Sequence, residues 1–195
     1  MYSKSIKDII SMIEENNKIS SKILDHCVSD IRAAVDLSIK AIDSNKKIIW
    51  CGNGGSAADA QHMAAELMGG LVSHDRRPIA SVALTTDSSF ITAWANDTDY
   101  NTIFSRQVEG LGKKGDILMA ISTSGNSTNI INAIHAANLK KMKVVILTGK
   151  SSGKMKNLGD VKICIPSNNT QRIQEGHLLV EHIFCELIEK SIIAN

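Results

Sequence analysis

The chain has 195 residues, which suits one ordinary domain whose core is large enough to be stable without disulfide or metal cross-links. Its formal net charge is only +2 and no long like-charged block occurs, so the sequence predicts no nucleic-acid surface. The 4 cysteines lie in apolar surroundings without Cys-x-x-Cys pairing, which indicates a reducing compartment. Neither a signal peptide nor an apolar run of about 20 residues occurs. The sequence therefore predicts a soluble, cytoplasmic protein without membrane contacts.

Two helices are expected before the first strand, within residues 3–44. Apolar residues recur at helical spacing over residues 6–23 and again over residues 27–42. In a small α/β protein, helices placed before the sheet either cap it or pack against another subunit. We expect these two helices to form a subunit interface.

Five apolar runs are predicted to be strands, at residues 48–51, 79–84, 117–121, 143–147 and 161–165. Helical segments are predicted between or after them, at residues 57–68, 90–95, 130–139 and 170–193. Strands of near-continuous apolar character that alternate with helices indicate a mainly parallel sheet covered on both faces. The sequence therefore predicts a single α/β domain over residues 1–195, a three-layer, doubly wound sandwich whose sheet and loops span residues 46–166.

A glycine-rich loop, residues 52–56, follows the first predicted strand and leads into a helix. Its glycines allow positive φ angles, and the helix N-terminus behind them favours an anionic ligand. The loop matches neither Gly-x-Gly-x-x-Gly nor the Walker pattern, so dinucleotide and nucleoside triphosphate binding are not indicated. From its residues alone, this loop is a candidate phosphate cradle, and Ser56 begins the helix.

A hydroxyl-rich loop follows the third predicted strand and carries Ser122, Thr123, Ser124 and Ser127 around Gly125. Side-chain donors, free backbone N–H groups and a helix dipole would meet there, which suits a phosphate monoester. The alternative is that Ser127 only caps the following helix and the other hydroxyls make hydrogen bonds within the turn. The loop repeats the strand-loop-helix layout of residues 52–56, which favours a ligand site.

Two helices carry side chains suited to acid–base or metal chemistry. His62 and Glu66 are four residues apart and so share one helix face, although a solvated pair is the default explanation for such spacing. The last helix adds Gln174, Glu175, His177, Glu181 and His182. Helical geometry alone cannot choose among them. Gln174, His177 and Glu181 lie near one face, whereas His182 lies about 80° from Gln174 around the helix, so His177 is the first candidate.

Taken together, these segments resemble the phosphoheptose isomerase family, the sedoheptulose 7-phosphate isomerases of the sugar isomerase (SIS) fold. The resemblance covers nearly the whole chain, with matching motifs in order at residues 51–67, 96–97, 121–127, 147–150 and 172–177. It implies a flavodoxin-like doubly wound fold and a homotetramer with its sites at subunit boundaries.

The resemblance also implies roles for individual residues. The sugar contacts would be Asn53, Gly54, Gly55, Asn96 and Asp97. The phosphate would be held by Ser122, Thr123, Ser124 and Ser127. One zinc ion per subunit would be bound by His62, Glu66, Gln174 and His182, with Glu66 and Gln174 also touching the substrate. His182 thus replaces His177, and the 80° offset would require Gln174 to lie in an irregular first turn or some ligands to come from a neighbouring subunit.

The implied reaction converts sedoheptulose 7-phosphate to D-glycero-D-manno-heptose 7-phosphate, the first step of ADP-heptose biosynthesis for lipopolysaccharide or capsule. It moves a proton between C1 and C2 through an enediol, for which a carboxylate and an imidazole are suited. Glu66 would be the base and His182 the partner acid/base, with zinc polarising the substrate oxygens as a Lewis acid.

Two alternatives remain open at this stage. The first is a non-catalytic, tetrameric protein of the same fold that associates with a replication initiator, and the second is an isomerase of another ketose phosphate. The chain also departs from the family at two places. Gly69-Gly70 stands where members often carry an Arg, a charge that Arg76 or Arg77 could supply, and Glu181 precedes the implied ligand His182.

Overall fold

The computed structural model describes the backbone of residues 2–194 and the side chains of residues 5–194. Two helices come first, α1 (Tyr2–His26) and α2 (Val28–Asp43), which confirms the helices predicted before the sheet. None of the helices in residues 2–194 combines the length and apolarity that a membrane crossing needs.

The described residues form one five-stranded sheet, and all of its neighbouring strands are parallel. The strands are β1 (Ile48–Cys51), β2 (Ser81–Ala83), β3 (Ile117–Ser122), β4 (Lys143–Gly149) and β5 (Val161–Ile165), in the spatial order β2-β1-β3-β4-β5. This confirms the predicted doubly wound sandwich, although β2 is shorter than the predicted strand. From β1 the chain adds β2 on one side and then returns to add β3, β4 and β5 on the other, so the strand order switches between β1 and β3. Ligands of such sheets bind beside the carboxyl ends of the strands at this switch point.

Five further helices cover the sheet in the described part of the chain. They are α3 (Gly55–Gly69), α4 (Ser88–Asp97), α5 (Ile103–Leu111), α6 (Thr128–Leu139) and α7 (Thr170–Ile193), with short 3-10 turns at Tyr100–Thr102 and Gly153–Met155. Neither α5 nor the 3-10 turns were predicted. Helix α4 extends by two residues at each end beyond the predicted residues 90–95.

The core has two parts, one on each face of the sheet. Helices α1, α2, α3 and α7 cover one face, where Trp50 meets Phe184 edge to face at 5.9 Å between ring centroids. Helices α5 and α6 cover the other face, where Ile49 and Leu118 are fully buried. Because successive strand residues point to opposite faces, strands buried on both sides read as continuous apolar runs.

Helices α3 and α7 lie side by side and run in the same direction. Gln174 packs against Gly55 near their N-terminal ends, and Met63 Sδ lies 3.7 Å from Cys185 Sγ farther along. Helix α7 is regular from Thr170, with the Asn169 side chain accepting a hydrogen bond from the Gln171 backbone N–H at 3.1 Å. The irregular first turn considered for Gln174 is therefore wrong.

Candidate active site

A polar cavity of about 80 Å³ lies beside the carboxyl ends of β1 and β3, where the loops of residues 52–56 and 122–127 meet. Its lining residues are Asn53, Ser56, Ile121, Ser122, Thr123, Ser127 and Gln174. The two loops that the sequence singled out thus border one cavity, because β1 and β3 are neighbours in the sheet although they are far apart in the chain.

The glycine-rich loop needs its glycines for two different reasons. Gly54 has φ +56°, a left-handed conformation that side chains disfavour. A Cβ on Gly55 would lie 2.4 Å from the Gln174 side-chain nitrogen, so the missing side chain lets Gln174 approach the loop. The loop therefore brings the first turn of α3 close to α7.

The hydroxyl-rich loop uses its side chains unequally. Ser127 precedes α6 but makes no side-chain capping bond, and its Oγ instead lies 3.1 Å from Ser122 Oγ inside the cavity. Ser124 Oγ accepts a hydrogen bond from the Asn126 N–H at 3.2 Å and lines a neighbouring cavity, not this one. Capping thus does not explain Ser127, whereas the turn interpretation does describe Ser124.

His62, Glu66 and His182 lie close together farther along α3 and α7. His62 Nε2 is 3.0 Å from Glu66 Oε1, and the ring centroids of His62 and His182 are 5.0 Å apart. His182 Nδ1 lies 2.9 Å from the Leu178 carbonyl oxygen, which can only accept, so in the neutral imidazole Nδ1 carries the proton and Nε2 has the lone pair. Packing of α7 on α3 thus brings together residues that are over 100 positions apart in sequence.

Asp59 is a member of this cluster that the sequence reasoning did not assign. Burial raises the pKa of its carboxyl group, and the charges of His62 and His182 oppose that rise. One of its oxygens, Oδ2, is buried without a hydrogen-bond partner. Its position one turn before His62 on the same helix was the available signal.

The residues implied for zinc are only partly brought together. Gln174 and His182 are eight residues apart on one regular helix, a rise of about 12 Å, and Gln174 lines the cavity of the hydroxyl-rich loop. Among the described residues, no three His, Cys, Asp or Glu side chains converge closely enough to hold a metal ion. The donors nevertheless suit zinc, because imidazole nitrogen and carboxylate oxygen are its usual ligands and His182 is oriented by a carbonyl.

Asn96 and Asp97 lie outside both groups of residues. They are exposed in the last turn of α4, where the Asn96 amide donates to Asp97 Oδ1 at 2.8 Å. Neither borders the polar cavity within this chain.

His177 and Glu181 are fully buried side chains of α7. Burial lowers the pKa of His177 to about 4, although a contact with the Thr148 backbone acts in the other direction. Burial also raises the pKa of Glu181 well above its usual range, with the Asp59 charge adding to the rise, and both Glu181 oxygens lack hydrogen-bond partners. Burial thus favours the neutral form of both side chains.

Arg76 belongs to a buried ion pair, so it does not supply a charge to the ligand. Its Nε donates to Glu189 at 2.7 Å, its Nη2 donates to the Glu66 carbonyl oxygen at 2.8 Å, and the side chains of Arg76 and Glu189 are each 2% exposed. Gly70, with φ +115°, leaves no room for a side chain, because a Cβ would lie 2.4 Å from the Ser73 carbonyl oxygen. Of the two candidate arginines, Arg77 alone is exposed.

Comparison with known proteins gives consistent matches along the chain. A family model described as "SIS domain" matches residues 11–149. The phosphoheptose isomerase of Aromatoleum aromaticum is 47% identical over 187 residues, which cover 94% of each chain, and that of Aliarcobacter butzleri is 44% identical over 192 residues, which cover 98% of this chain and 99% of the relative.

Two solved structures agree with this similarity. The phosphoheptose isomerase of Neisseria gonorrhoeae superposes with a TM-score of 0.88 at 40% identity, covering 94% of this chain and 98% of that one. The phosphoheptose isomerase of Francisella tularensis superposes with a TM-score of 0.92 at 34% identity, covering 95% of this chain and 98% of that one. The likeness therefore includes the N-terminal helices as well as the sheet.

Proposed function

The chain belongs to the phosphoheptose isomerase family of SIS-domain proteins, and we propose that Glu66 and His182 perform its proton transfers. It is an aldose–ketose isomerase, with sedoheptulose 7-phosphate as substrate and D-glycero-D-manno-heptose 7-phosphate as product, the entry to ADP-heptose. The observation that carries the assignment of residues is the grouping of His62, Glu66 and His182 on α3 and α7, the two helices whose N-terminal ends border the polar cavity. The predicted cytoplasmic location stays a prediction.

The proposed reaction moves one proton between two neighbouring carbons. Glu66, as a carboxylate, removes a proton from C1 of the ketose and returns it to C2 of the enediol. His182 Nε2, whose lone pair is kept free by the bond from Nδ1 to Leu178, exchanges a proton with the oxygens on C1 and C2. Ser122, Thr123 and Ser127 hold the phosphate, so that the remainder of the sugar extends towards Glu66.

The non-catalytic alternative is not favoured. A binding protein of this fold needs neither a carboxylate nor an imidazole at the ligand cavity, whereas this chain has both within one cluster.

The length of the sugar chain is tested directly by incubating the protein with sedoheptulose 7-phosphate and with shorter ketose phosphates, and following the aldose signal by NMR. Aldose formation from the seven-carbon sugar alone is expected, and its absence with every sugar would refute the function.

We propose that His62, Glu66 and His182 would hold a zinc ion once side-chain rotation has brought their donor atoms closer together than they lie here, with Gln174 or a donor from a neighbouring subunit completing the set. The ion supplies Lewis-acid polarisation of the substrate oxygens when it is bound. The Nε2 proton of His62 that faces Glu66 would have to leave for that nitrogen to act as a ligand. The chemistry of the donors supports this proposal.

The purified protein is expected to contain about one zinc per chain, and His62→Ala with His182→Ala should reduce that content several-fold, since two of the donors are lost. Elemental analysis by mass spectrometry measures both. His135→Ala is the matched control, because His135 is an exposed histidine of α6 outside the cluster. An unchanged zinc content in the double variant would contradict the assignment.

We infer a homotetramer from two separate apolar surfaces. Helix α1 exposes Ile6, Ile9 and Ile13 by more than half near its start. A second surface is a groove of about 510 Å³ between α1, α2 and α7, lined by Leu24, Val28 and other apolar side chains. A tetramer with dihedral symmetry needs at least two kinds of interface, and exposed apolar surfaces of this kind mark protein contacts.

A Leu24→Glu, Val28→Glu double variant is expected to have a lower molar mass than the wild-type tetramer, because two charges would be buried in the groove interface. Light scattering coupled to size-exclusion chromatography measures the mass. Leu139→Glu is the control, since Leu139 is 85% exposed at the end of α6, away from the groove. A tetramer in the groove variant would exclude this surface as an interface.

A further inference from the structure

Two asparagines join the loops that border the polar cavity. Asn53, in the glycine-rich loop, donates from Nδ2 to Asn129 Oδ1 at 2.9 Å, and Asn129 donates from Nδ2 to Asn53 Oδ1 at 2.8 Å. Asn129 lies in the first turn of α6 and is only 3% exposed. The two carboxamides therefore form a closed pair of hydrogen bonds between the chain segments that follow β1 and β3.

The orientation of both amides follows from a backbone group. The N–H of Ile130 lies 3.0 Å from Asn129 Oδ1, and a backbone N–H can only donate, so the acceptor must be the oxygen. Asn129 Nδ2 therefore faces Asn53, and the Asn53 atom that accepts its hydrogen bond must be Oδ1. Tyr100 adds a second donor, with its hydroxyl 3.1 Å from the same Asn53 Oδ1.

Counting donors and acceptors shows what Asn53 still offers. Its oxygen has two lone pairs, and Asn129 and Tyr100 occupy both. Its nitrogen has two hydrogens, of which one is bonded to Asn129. One N–H therefore remains for a ligand in the cavity that Asn53 lines together with Ser122 and Ser127.

We propose that Asn129 and Tyr100 are positioning residues that hold Asn53 as a hydrogen-bond donor to an oxygen of the phosphate group, in place of the sugar contact that the resemblance implies for Asn53, because Asn53 lines the same cavity as Ser122 and Ser127. This rests on the proposed function for the nature of the ligand. Were the Asn53 amide turned over, its oxygen would face the phosphate oxygens and repel them. Because the amide is held before the ligand arrives, no orientational freedom of Asn53 has to be lost on binding.

The test is a double-mutant cycle with inorganic phosphate as the probe, its affinity measured by NMR titration. Tyr100→Phe keeps the ring and removes the hydroxyl, and it should weaken phosphate binding about three- to tenfold, the usual effect of one hydrogen bond. The same change made in an Asn53→Ala background should have no further effect, because Tyr100 acts through Asn53. Full additivity of the two changes, or an unchanged affinity in Tyr100→Phe, would overturn the proposal.

Two further variants separate this role from general loosening of the region. Asn129→Ser should weaken phosphate binding in the same direction as Tyr100→Phe. Asn132→Ala is the matched control. Asn132 joins α6 to the 3-10 turn that contains Tyr100, by donating to the Asn101 carbonyl oxygen at 3.0 Å, but it does not bond to Asn53. If Asn132→Ala weakened binding as much as Tyr100→Phe, the position of the turn and not the Asn53 amide would be responsible, and the proposal would fall.

The phosphate titration needs no turnover, so the proposal and the function can fail separately. If the chain isomerises no ketose phosphate but its phosphate affinity follows the expected cycle, the function is wrong and the positioning role stands. If it isomerises sedoheptulose 7-phosphate while the Tyr100 and Asn129 variants bind phosphate as the wild type does, only the positioning role is wrong. In an active enzyme, Tyr100→Phe should raise KM and leave kcat within about twofold, because the hydrogen bond acts on binding.

Discussion

Glu66→Gln is expected to lower kcat for isomerisation by about 10²- to 10⁴-fold, the range typical of a lost general base. The amide keeps the size of the side chain and its oxygen can still accept the hydrogen bond from His62 Nε2, so folding and the local geometry should be retained. What is lost is the carboxylate that, under the proposed mechanism, removes the proton from C1. Kinetics with sedoheptulose 7-phosphate measure kcat and KM separately.

The control for this variant is Glu109→Gln, which alters an exposed glutamate of α5 paired only with Arg106. Its kcat should equal that of the wild type. The zinc content of both variants is measured alongside, so that the loss of an ion is distinguished from the loss of the base. A Glu66→Gln enzyme with near wild-type kcat would remove Glu66 from its role.

Glu189→Ala is expected to lower the free energy of unfolding by about 3–5 kcal/mol, the usual cost of leaving one partner of a buried ion pair alone. The Glu189 carboxylate accepts from Arg76 Nε and from three backbone N–H groups, those of Leu71, Val72 and Ser73. Without it, the buried Arg76 guanidinium keeps its charge but loses its counter-ion. Denaturant or thermal unfolding measures the change, at roughly 2–4 °C in Tm per kcal/mol.

Glu186→Ala is the matched control on the same helix. Glu186 pairs with Lys190 at the surface, and that pair should contribute less than about 1 kcal/mol. Replacing Arg76 and Glu189 together by Met and Leu should recover much of the lost stability, because no unpaired charge then remains buried. If Glu189→Ala unfolded like Glu186→Ala, the buried pair would have no stabilising role.

The same carboxylate predicts how stability depends on pH. Burial alone would raise the pKa of Glu189, but its hydrogen bonds with Arg76 and the backbone lower it to about 2, from an ordinary value of 4.5. A depressed pKa means that the stabilisation is fully present above the unfolded-state value and is lost as the pH falls from about 4.5 towards 2. The free energy of unfolding of the wild type should therefore fall more steeply over this pH interval than that of the Glu189→Gln variant.

The ion pair also connects the fold to the proposed chemistry. Arg76 donates to the Glu66 carbonyl oxygen, in the last turns of α3, while Glu189 holds the backbone of the loop that follows. The end of α3 is thereby attached to α7, the helix that carries His182. Loss of the pair should for this reason affect activity as well as stability.

The sequence by itself determined the order of elements, the parallel sheet and the positions of the loops. Apolar runs and helical periodicity are local properties, and β1, β3, β4 and β5 were found close to their actual bounds. The adjacency of His62 and Glu66 also followed from the sequence, because residues four apart on a helix always share a face. The end of α4 was misplaced, since its polar last residues resemble a loop.

Only the tertiary structure decided which distant residues meet. Helical periodicity gives the angles between His177, His182 and Gln174 around α7, but not which of them faces α3. The packing of α7 against α3 and the sheet buries His177 beside Thr148, places His182 against His62 and leaves Gln174 at the polar cavity. The Asn53–Asn129 and Arg76–Glu189 contacts likewise join residues 76 and 113 positions apart, separations over which the local pattern carries no information.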